Sequence, residues 1–347
     1  MSAAPRYLDT AALYAAISPA EAVAAIQDAL LAGFDTQADH VRSTEKLTQG
    51  DFLLMPSEVG PYAGIKIITI SPENPGRGLP RIQGLYVLFD SETLTPQLLM
   101  EGAALSNIRT PAVSLAATEG ALLRSTEPLN VVVFGAGPQG IDHLATLKAV
   151  VGSRRHISSV TFVVRTPRPI GVAEAAVVAA GSADAEAAVA EAGLIICATT
   201  ARTPLFDSAA VRDDAVVIAV GSHEPDAREL DSALMARAQV IVEDVPTALR
   251  ESGDVILAIE EGVLSAKRLL AISDVICGRI ELEADRPVVF KSSGMSWEDL
   301  AVASAISRTM TRADERGSDS ADAVTDHGGV AAGDDNRGGD AVTDTDD

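Results

Sequence analysis

The apolar positions of the chain change rhythm twice. In SPAEAVAAIQDALLAGF, residues 18–34, Val23, Ile26, Leu30 and Phe34 fall three and four apart, the period of a helix with one buried face. Ser18 suits the cap of that helix, Pro19 fits its first position and Glu21 completes a capping box. From Leu47 to Met100 the pattern shortens to strand-like runs, FLLM, IKIITI and GLYVLFD, with turn residues such as SPENPGRGLP between them. IRTPAVSLAATEGALL returns to helical spacing. This first region predicts an α+β unit around an antiparallel sheet.

From about Leu129 the rhythm becomes strand, helix, strand. NVVVF, VTFVV, LIICA, AVVIAV and VIVED are short apolar runs, most of them separated by Ala-rich helical stretches. Strands buried on both faces read this way, so an α/β class with a doubly wound parallel sheet is expected. PVVFKSSGMSWEDLAVASAISRTM closes with a strand, a Ser/Gly turn and a helix that should return to the first unit. The expected division is residues 1–122 completed by 290–312, then 123–289, then an acidic tail over 313–347. In that tail Asp, Gly, Ala, Ser and Thr dominate and DAVTD occurs twice, a composition expected to stay disordered.

At 347 residues there is room for two cores, and with 47% hydrophobic but only 3% aromatic residues, aliphatic packing must build them. A formal net charge of −22 argues against nucleic acid or an anionic membrane surface as a partner. No apolar run has the length of a membrane span, and no secretory signal is read at the start. Cys197 and Cys277 are too few for a disulfide framework or a zinc site, so no metal and a cytoplasmic setting are expected.

Gly135, Gly137 and Gly140 in NVVVFGAGPQG form G-x-G-x-x-G directly after a strand and at the opening of a helix. The first glycine permits a tight turn, the second lets backbone approach a pyrophosphate, and the third allows close helix–strand packing. With Ala136, Pro138 and Gln139 they predict a dinucleotide cradle at a helix N-terminus. The next strand ends in Arg165-Thr166-Pro167-Arg168, with guanidinium groups where a carboxylate would bind a free ribose hydroxyl. Arg165, Thr166 and Arg168 therefore favour a 2′-phosphate, and NADPH over NADH. Thr199 and Thr200 end the LIICA strand on the ligand side of such a sheet.

Lys66 stands in the middle of IKIITI, where an apolar strand calls for burial. A buried ammonium needs an anion, either a bound carboxylate or a buried Asp or Glu of the chain itself.

In order along residues 40–305, Arg42, GIKIITISPENPGRGLP, LFDSETLTPQLLMEGAAL, IRTPAVS, GAGPQG, GSHEPDAREL and FKSSGMSWEDLA resemble the ornithine cyclodeaminase/mu-crystallin family. The resemblance implies a homodimer, with an N-terminal dimerisation and substrate domain followed by a Rossmann domain. It implies small amino or imino acids as substrates, their carboxylate held by Arg42, Lys66 and Arg109, and Arg81 near the nicotinamide phosphate. Ornithine cyclodeaminase itself carries a catalytic aspartate where this chain has His223, and a glycine where it has Asp226. PDAREL looks instead like ketimine and Δ1-pyrroline-2-carboxylate reductases. The expected activity is thus NAD(P)H-dependent reduction of a cyclic imino acid to L-proline or L-pipecolate, with Lys66 and His223 as catalytic residues and His223 as proton donor. The alternative is ornithine cyclisation with NAD and release of ammonia, or a related amino-acid dehydrogenase. His143, on the helix after the glycine turn, reads as packing.

Overall fold

The computed structural model describes residues 4–325, and the side chains of residues 4–312. The chain opens with β1 (Arg6–Leu8), α1 (Thr10–Ala16) and α2 (Pro19–Leu31). The capping box of α2 is formed: Ser18 N–H donates to Glu21 at 2.8 Å, and Glu21 N–H donates to Ser18 Oγ at 3.3 Å. Then come β2 (Ser43–Leu47), β3 (Gly50–Val59), β4 (Tyr62–Ile70), β5 (Ile82–Asp90), β6 (Pro96–Glu101) and the long helix α3 (Gly102–Leu122). These strands form a six-stranded sheet in the order β1-β6-β5-β4-β3-β2. All neighbours are antiparallel except β1 and β6, so the expected antiparallel sheet carries one parallel edge. The pleat of β4 turns Gly64, Lys66 and Ile68 to the buried face, which takes the lysine inside by simple alternation.

The second half runs β7 (Leu129–Phe134), α4 (Pro138–Val150), β8 (Ile157–Val164), β9 (Ala176–Ala179), α5 (Ala183–Glu191), β10 (Leu194–Cys197) and β11 (Val216–Ala219). It continues through α6 (Ser232–Arg237), β12 (Gln239–Val242), α7 (Val245–Glu251), α8 (Gly253–Glu260), β13 (Leu269–Ala271), α9 (Ile272–Ile276), β14 (Val288–Lys291) and α10 (Ser296–Thr325). The eight strands make one parallel sheet, β13-β12-β14-β11-β10-β7-β8-β9. Its order reverses direction between β7 and β10, which opens a crevice at their carboxyl ends. The five strands read as apolar runs are all present. Short β9 and β13 are additional, and β9 lies in an Ala-rich stretch whose composition reads as helix.

Helix α3 explains how the two sheets become one body. It packs against β4 and β5 of the first sheet and against β11 and β14 of the second. Leu105, Ala112, Val113 and Leu115 on it are fully buried, as a helix covered from several sides requires. The described residues up to Ser307 form one compact unit. Strand β14 stays paired with β11 and β12 through Lys291, so the chain leaves the second sheet at Ser292 rather than at residue 290. Helix α10 runs to Thr325, past the expected start of the disordered tail at residue 313; the remainder of that expectation, 326–347, lies outside the described residues. No helix among the described residues is long and apolar enough to cross a membrane.

Candidate active site

The glycine turn sits at the reversal of strand order. Gly135 has φ +97°, and a Cβ there would stand 2.5 Å from the Ala198 carbonyl oxygen at the end of β10. A Cβ on Gly140 would stand 2.2 Å from the Gly135 carbonyl oxygen, so helix and turn touch backbone to backbone. Gly137 faces open space, and Gly137 and Pro138 are exposed at the N-terminus of α4. Uncapped N–H groups aimed into an open crevice suit a pyrophosphate, and Ala136 lies within the same turn. Arg165, Thr166 and Arg168 are exposed just beyond the end of β8, the side from which a ribose 2′-substituent is reached. Arg81 is exposed in the turn after β4, its carbonyl accepting from Ser71 N–H at 2.9 Å.

Two residues assigned to the cofactor are engaged elsewhere. Gln139 Nε2 donates to Ser106 O at 3.3 Å and to Asn107 Oδ1 at 3.0 Å, so its amide ties α4 to α3 instead of aiming at phosphate. The Thr199 hydroxyl donates to Glu229 at 2.7 Å, which makes it part of the crevice frame, while Thr200 is exposed. His143 is buried between Gln139 O at 2.7 Å and Ser114 Oγ at 3.0 Å, and burial pulls its imidazole down to about 4. It is a neutral packing group, as its position on α4 suggested.

The anion that meets Lys66 is Asp299, at 2.6 Å. Burial lowers the Lys66 ammonium to about 8, against the opposing pull of Asp299. Arg109, on α3, pairs with Glu298 at 2.5 Å and approaches Asp299 at 3.6 Å. Arg42 pairs with Glu251 and donates to the Ser293 carbonyl at 3.1 Å. All three cations expected to greet a substrate carboxylate are thus offset by the protein's own carboxylates, which corrects the reading that the substrate supplies the balancing charge. They retain donors, however. Lys66 spends two of its three N–H groups, on Asp299 and Ser106, and Arg109 Nε has no hydrogen-bond partner.

What joins the cations is the turn from β14 to α10, residues 292–295. Gly294 has φ +83°, and a Cβ there would lie 2.6 Å from the Arg109 guanidinium. The same turn offers its carbonyls to Arg42, and α10 then supplies Glu298 and Asp299. His223, exposed to solvent, is desolvated by neighbouring protein and repelled by Arg42, and both effects lower its pKa. Asp226 is also exposed and pairs with Arg202 at 2.6 Å.

Sequence reasoning missed a second buried charge cluster behind His223. Lys291 is fully buried, 3.1 Å from Asp254, and donates to the Ser222 carbonyl at 2.6 Å. Asp254 accepts from Glu229 N–H and Leu230 N–H, and Glu229 in turn accepts from Thr199 and from Gly221 N–H at 2.7 Å. The cluster therefore fixes both the end of β10 and the loop that carries His223. The available signal was Lys291 in PVVFK, a lysine closing an apolar run as Lys66 interrupts one. No group of three or more metal-ligating side chains occurs among the described residues.

The sequence model of the ornithine cyclodeaminase/mu-crystallin family matches residues 13–313. The chain belongs to this family. A Δ1-pyrroline-2-carboxylate reductase of Bacillus cereus is 33% identical over 266 residues, covering 74% of this chain and 80% of that protein. A Δ1-pyrroline-2-carboxylate/Δ1-piperideine-2-carboxylate reductase of Azospirillum brasilense is 29% identical over 283 residues, covering 77% and 85%. The solved structure of Thermococcus litoralis Δ1-pyrroline-2-carboxylate reductase in complex with NADH and L-proline aligns with a TM-score of 0.77 at 25% identity, over 89% of this chain and 98% of that one.

Proposed function

We propose that this member of the family is an NAD(P)H-dependent imine reductase, converting Δ1-pyrroline-2-carboxylate or Δ1-piperideine-2-carboxylate to L-proline or L-pipecolate. The observation that carries this reading is the convergence of Arg42, Lys66 and Arg109 around the turn and helix start of residues 292–299, with His223 in the field of Arg42. The similarity to the Bacillus and Azospirillum reductases supports it.

The turn at Gly135–Gln139 would hold the nicotinamide cofactor, whose chemistry when bound would be to supply hydride to C2 of the ring. Lys66, Arg109 and Arg42 hold the ring carboxylate with the donors their internal partners leave free, and so fix which face is offered. His223 gives a proton to the ring nitrogen, which must be positive to accept hydride. Because the His223 pKa is lowered, its imidazolium is a minority at neutral pH, and the rate rises as pH falls through that value. His223→Asn should lower kcat/KM by about a hundredfold or more and flatten that rise. Unchanged turnover with an unchanged pH profile removes the donor role.

NADPH is the preferred reductant in this reading, with NADH as a weaker substitute. Arg165→Ala should raise the Michaelis constant for NADPH about tenfold and leave that for NADH nearly as it was, measured by cofactor oxidation at 340 nm. An unmoved NADPH constant would take Arg165 out of the cofactor site. The chain acts as a cytoplasmic homodimer in this reading. Exposed Tyr7, Tyr14, Ile82 and Leu85 line one open groove of the first sheet, an apolar face suited to a second copy.

The deciding assay offers both cyclic imino acids with NADPH, beside ornithine with NAD and an ammonia readout. Imine-dependent NADPH oxidation without ammonia from ornithine is the expected result. Ammonia release with idle imines would reassign the enzyme to the cyclising branch.

A further inference from the structure

Beneath the three cations lies an arrangement that ordinary pairing does not satisfy. Glu243, just after β12, accepts from Ser292 Oγ, and its two oxygens also take Ser293 N–H at 3.0 Å and Gly294 N–H at 3.0 and 3.1 Å. Three donors on one carboxyl are the surroundings of a carboxylate. Glu298 stands against it. Its Oε2 takes Arg109 Nη1, while its buried Oε1 has no donor. Glu243 is the carboxyl that acts on Glu298 by both charge and hydrogen bonding, so the unpartnered, buried Oε1 of Glu298 belongs to a pair of acceptors. Only a proton resolves that pairing.

We infer that Glu298 is a positioning residue that works as a neutral carboxylic acid, donating from Oε1 to Glu243 while its Oε2 steers Arg109. Charge counting agrees. Lys66 and Arg109 are two buried cations facing three buried carboxyls, Glu243, Glu298 and Asp299. One proton makes the set neutral, and a substrate carboxylate then meets donors without a net opposing charge. Ionised, Glu298 leaves one negative charge in excess beside the substrate's own. Burial and the nearby Glu243 carboxylate both raise its pKa well above the ordinary range, in the same sense. The groups facing it are Arg109 on α3, Glu243 after β12 and Asp299 on its own helix, with Lys66 on β4 behind Asp299. Through Glu243 the acid also reaches Ser292, Ser293 and Gly294, the turn that holds Arg42. A single proton thereby ties the three cations into one preset unit.

The role in substrate binding rests on the reductase reading, whereas the protonation state does not, and the test separates them. Infrared spectra of the whole protein at neutral pH, for wild type, E298Q and E298D, report the buried acid directly. The expected result is a carboxylic-acid C=O band that disappears in E298Q and shifts in E298D. In parallel, L-proline binding is measured with oxidised cofactor present. Glutamine keeps both a donor toward Glu243 and an acceptor toward Arg109, so E298Q should bind within about threefold of wild type. No such band, together with binding weakened more than about tenfold in E298Q, would show an ionised counter-ion of Arg109 and overturn the inference. Should E298Q fail to fold, the wild-type and E298D spectra decide alone: a band that shifts supports the acid, and its absence overturns it. A wild-type protein that shows the band but binds no L-proline would sink the substrate role and leave the proton where it is.

Discussion

Lys66→Met should lower kcat/KM for the cyclic imine by about two to three orders of magnitude, and should cost about 3–5 kcal/mol of stability as well. Both losses have one origin. The ammonium is buried on β4 and lies 2.6 Å from Asp299, which is itself fully buried. Methionine fills the space of the lysine stem but leaves Asp299 with Arg109 Nε at 3.6 Å as its nearest cation, and a carboxylate without its partner in such a place is expensive. Urea unfolding and initial rates with NADPH are the measurements. Wild-type values in both would mean that neither Asp299 nor the substrate depends on this cation.

The pH dependence of the wild type belongs to the same test. The ammonium is lowered to about 8, so kcat/KM, which reports the free enzyme, should fall as pH rises through about 8, and the methionine variant should lack that limb. For stability the sign reverses. A lysine whose folded pKa lies below its unfolded value contributes most above about pH 10 and loses that contribution as pH falls through about 8. Glu298, with its pKa raised, works in the opposite direction and loses its contribution as pH rises.

Lys66 also measures how far the sequence could be read. Its burial was legible, because a lysine in the middle of an apolar strand of alternating faces has no other reading. The identity of its partner was not. Asp299 lies 233 positions away on another element, and only the tertiary fold brings the two together. The glycine turn, by contrast, was readable almost atom by atom, since each glycine answers to a local constraint: a positive φ, an open approach, a helix pressed on a strand. Gln139, inside the same motif, lends its backbone to the turn while its side chain is tied to α3, a link that local spacing does not reveal. The parallel edge at β1 was out of reach for a similar reason, as three residues carry no pairing signal of their own. Local chemistry is written locally. Charge partners and strand neighbours are set by topology.

Lys291→Met should produce the other large loss, about 3–5 kcal/mol, without touching substrate. Lys291 is fully buried and is the cation shared by Asp254, at 3.1 Å, and by the field at Glu229. Glu229 is already raised by burial, with Lys291 opposing the rise. Without the lysine, two buried carboxyls remain with no cation, and Glu229 should take up a proton at still higher pH. A carboxyl whose folded pKa is raised favours the folded state at low pH and withdraws that support as pH rises. The variant should therefore recover much of its stability at about pH 5.5 and be least stable at about pH 8, a contrast the wild type shows only weakly. Unfolding midpoints in urea at the two pH values give the answer. Equal losses at both would mean that the cost is lost packing of the lysine stem and not an unpaired charge. Adding Asp254→Asn should restore part of the stability, because it removes the charge that Lys291 was balancing while an amide oxygen still accepts from Glu229 N–H and Leu230 N–H. Turnover should not return with it. The protonated Glu229 holds Thr199 and Gly221 less firmly, and the Ser222 carbonyl has lost the Lys291 ammonium, so the loop that carries His223 is no longer fixed against the crevice.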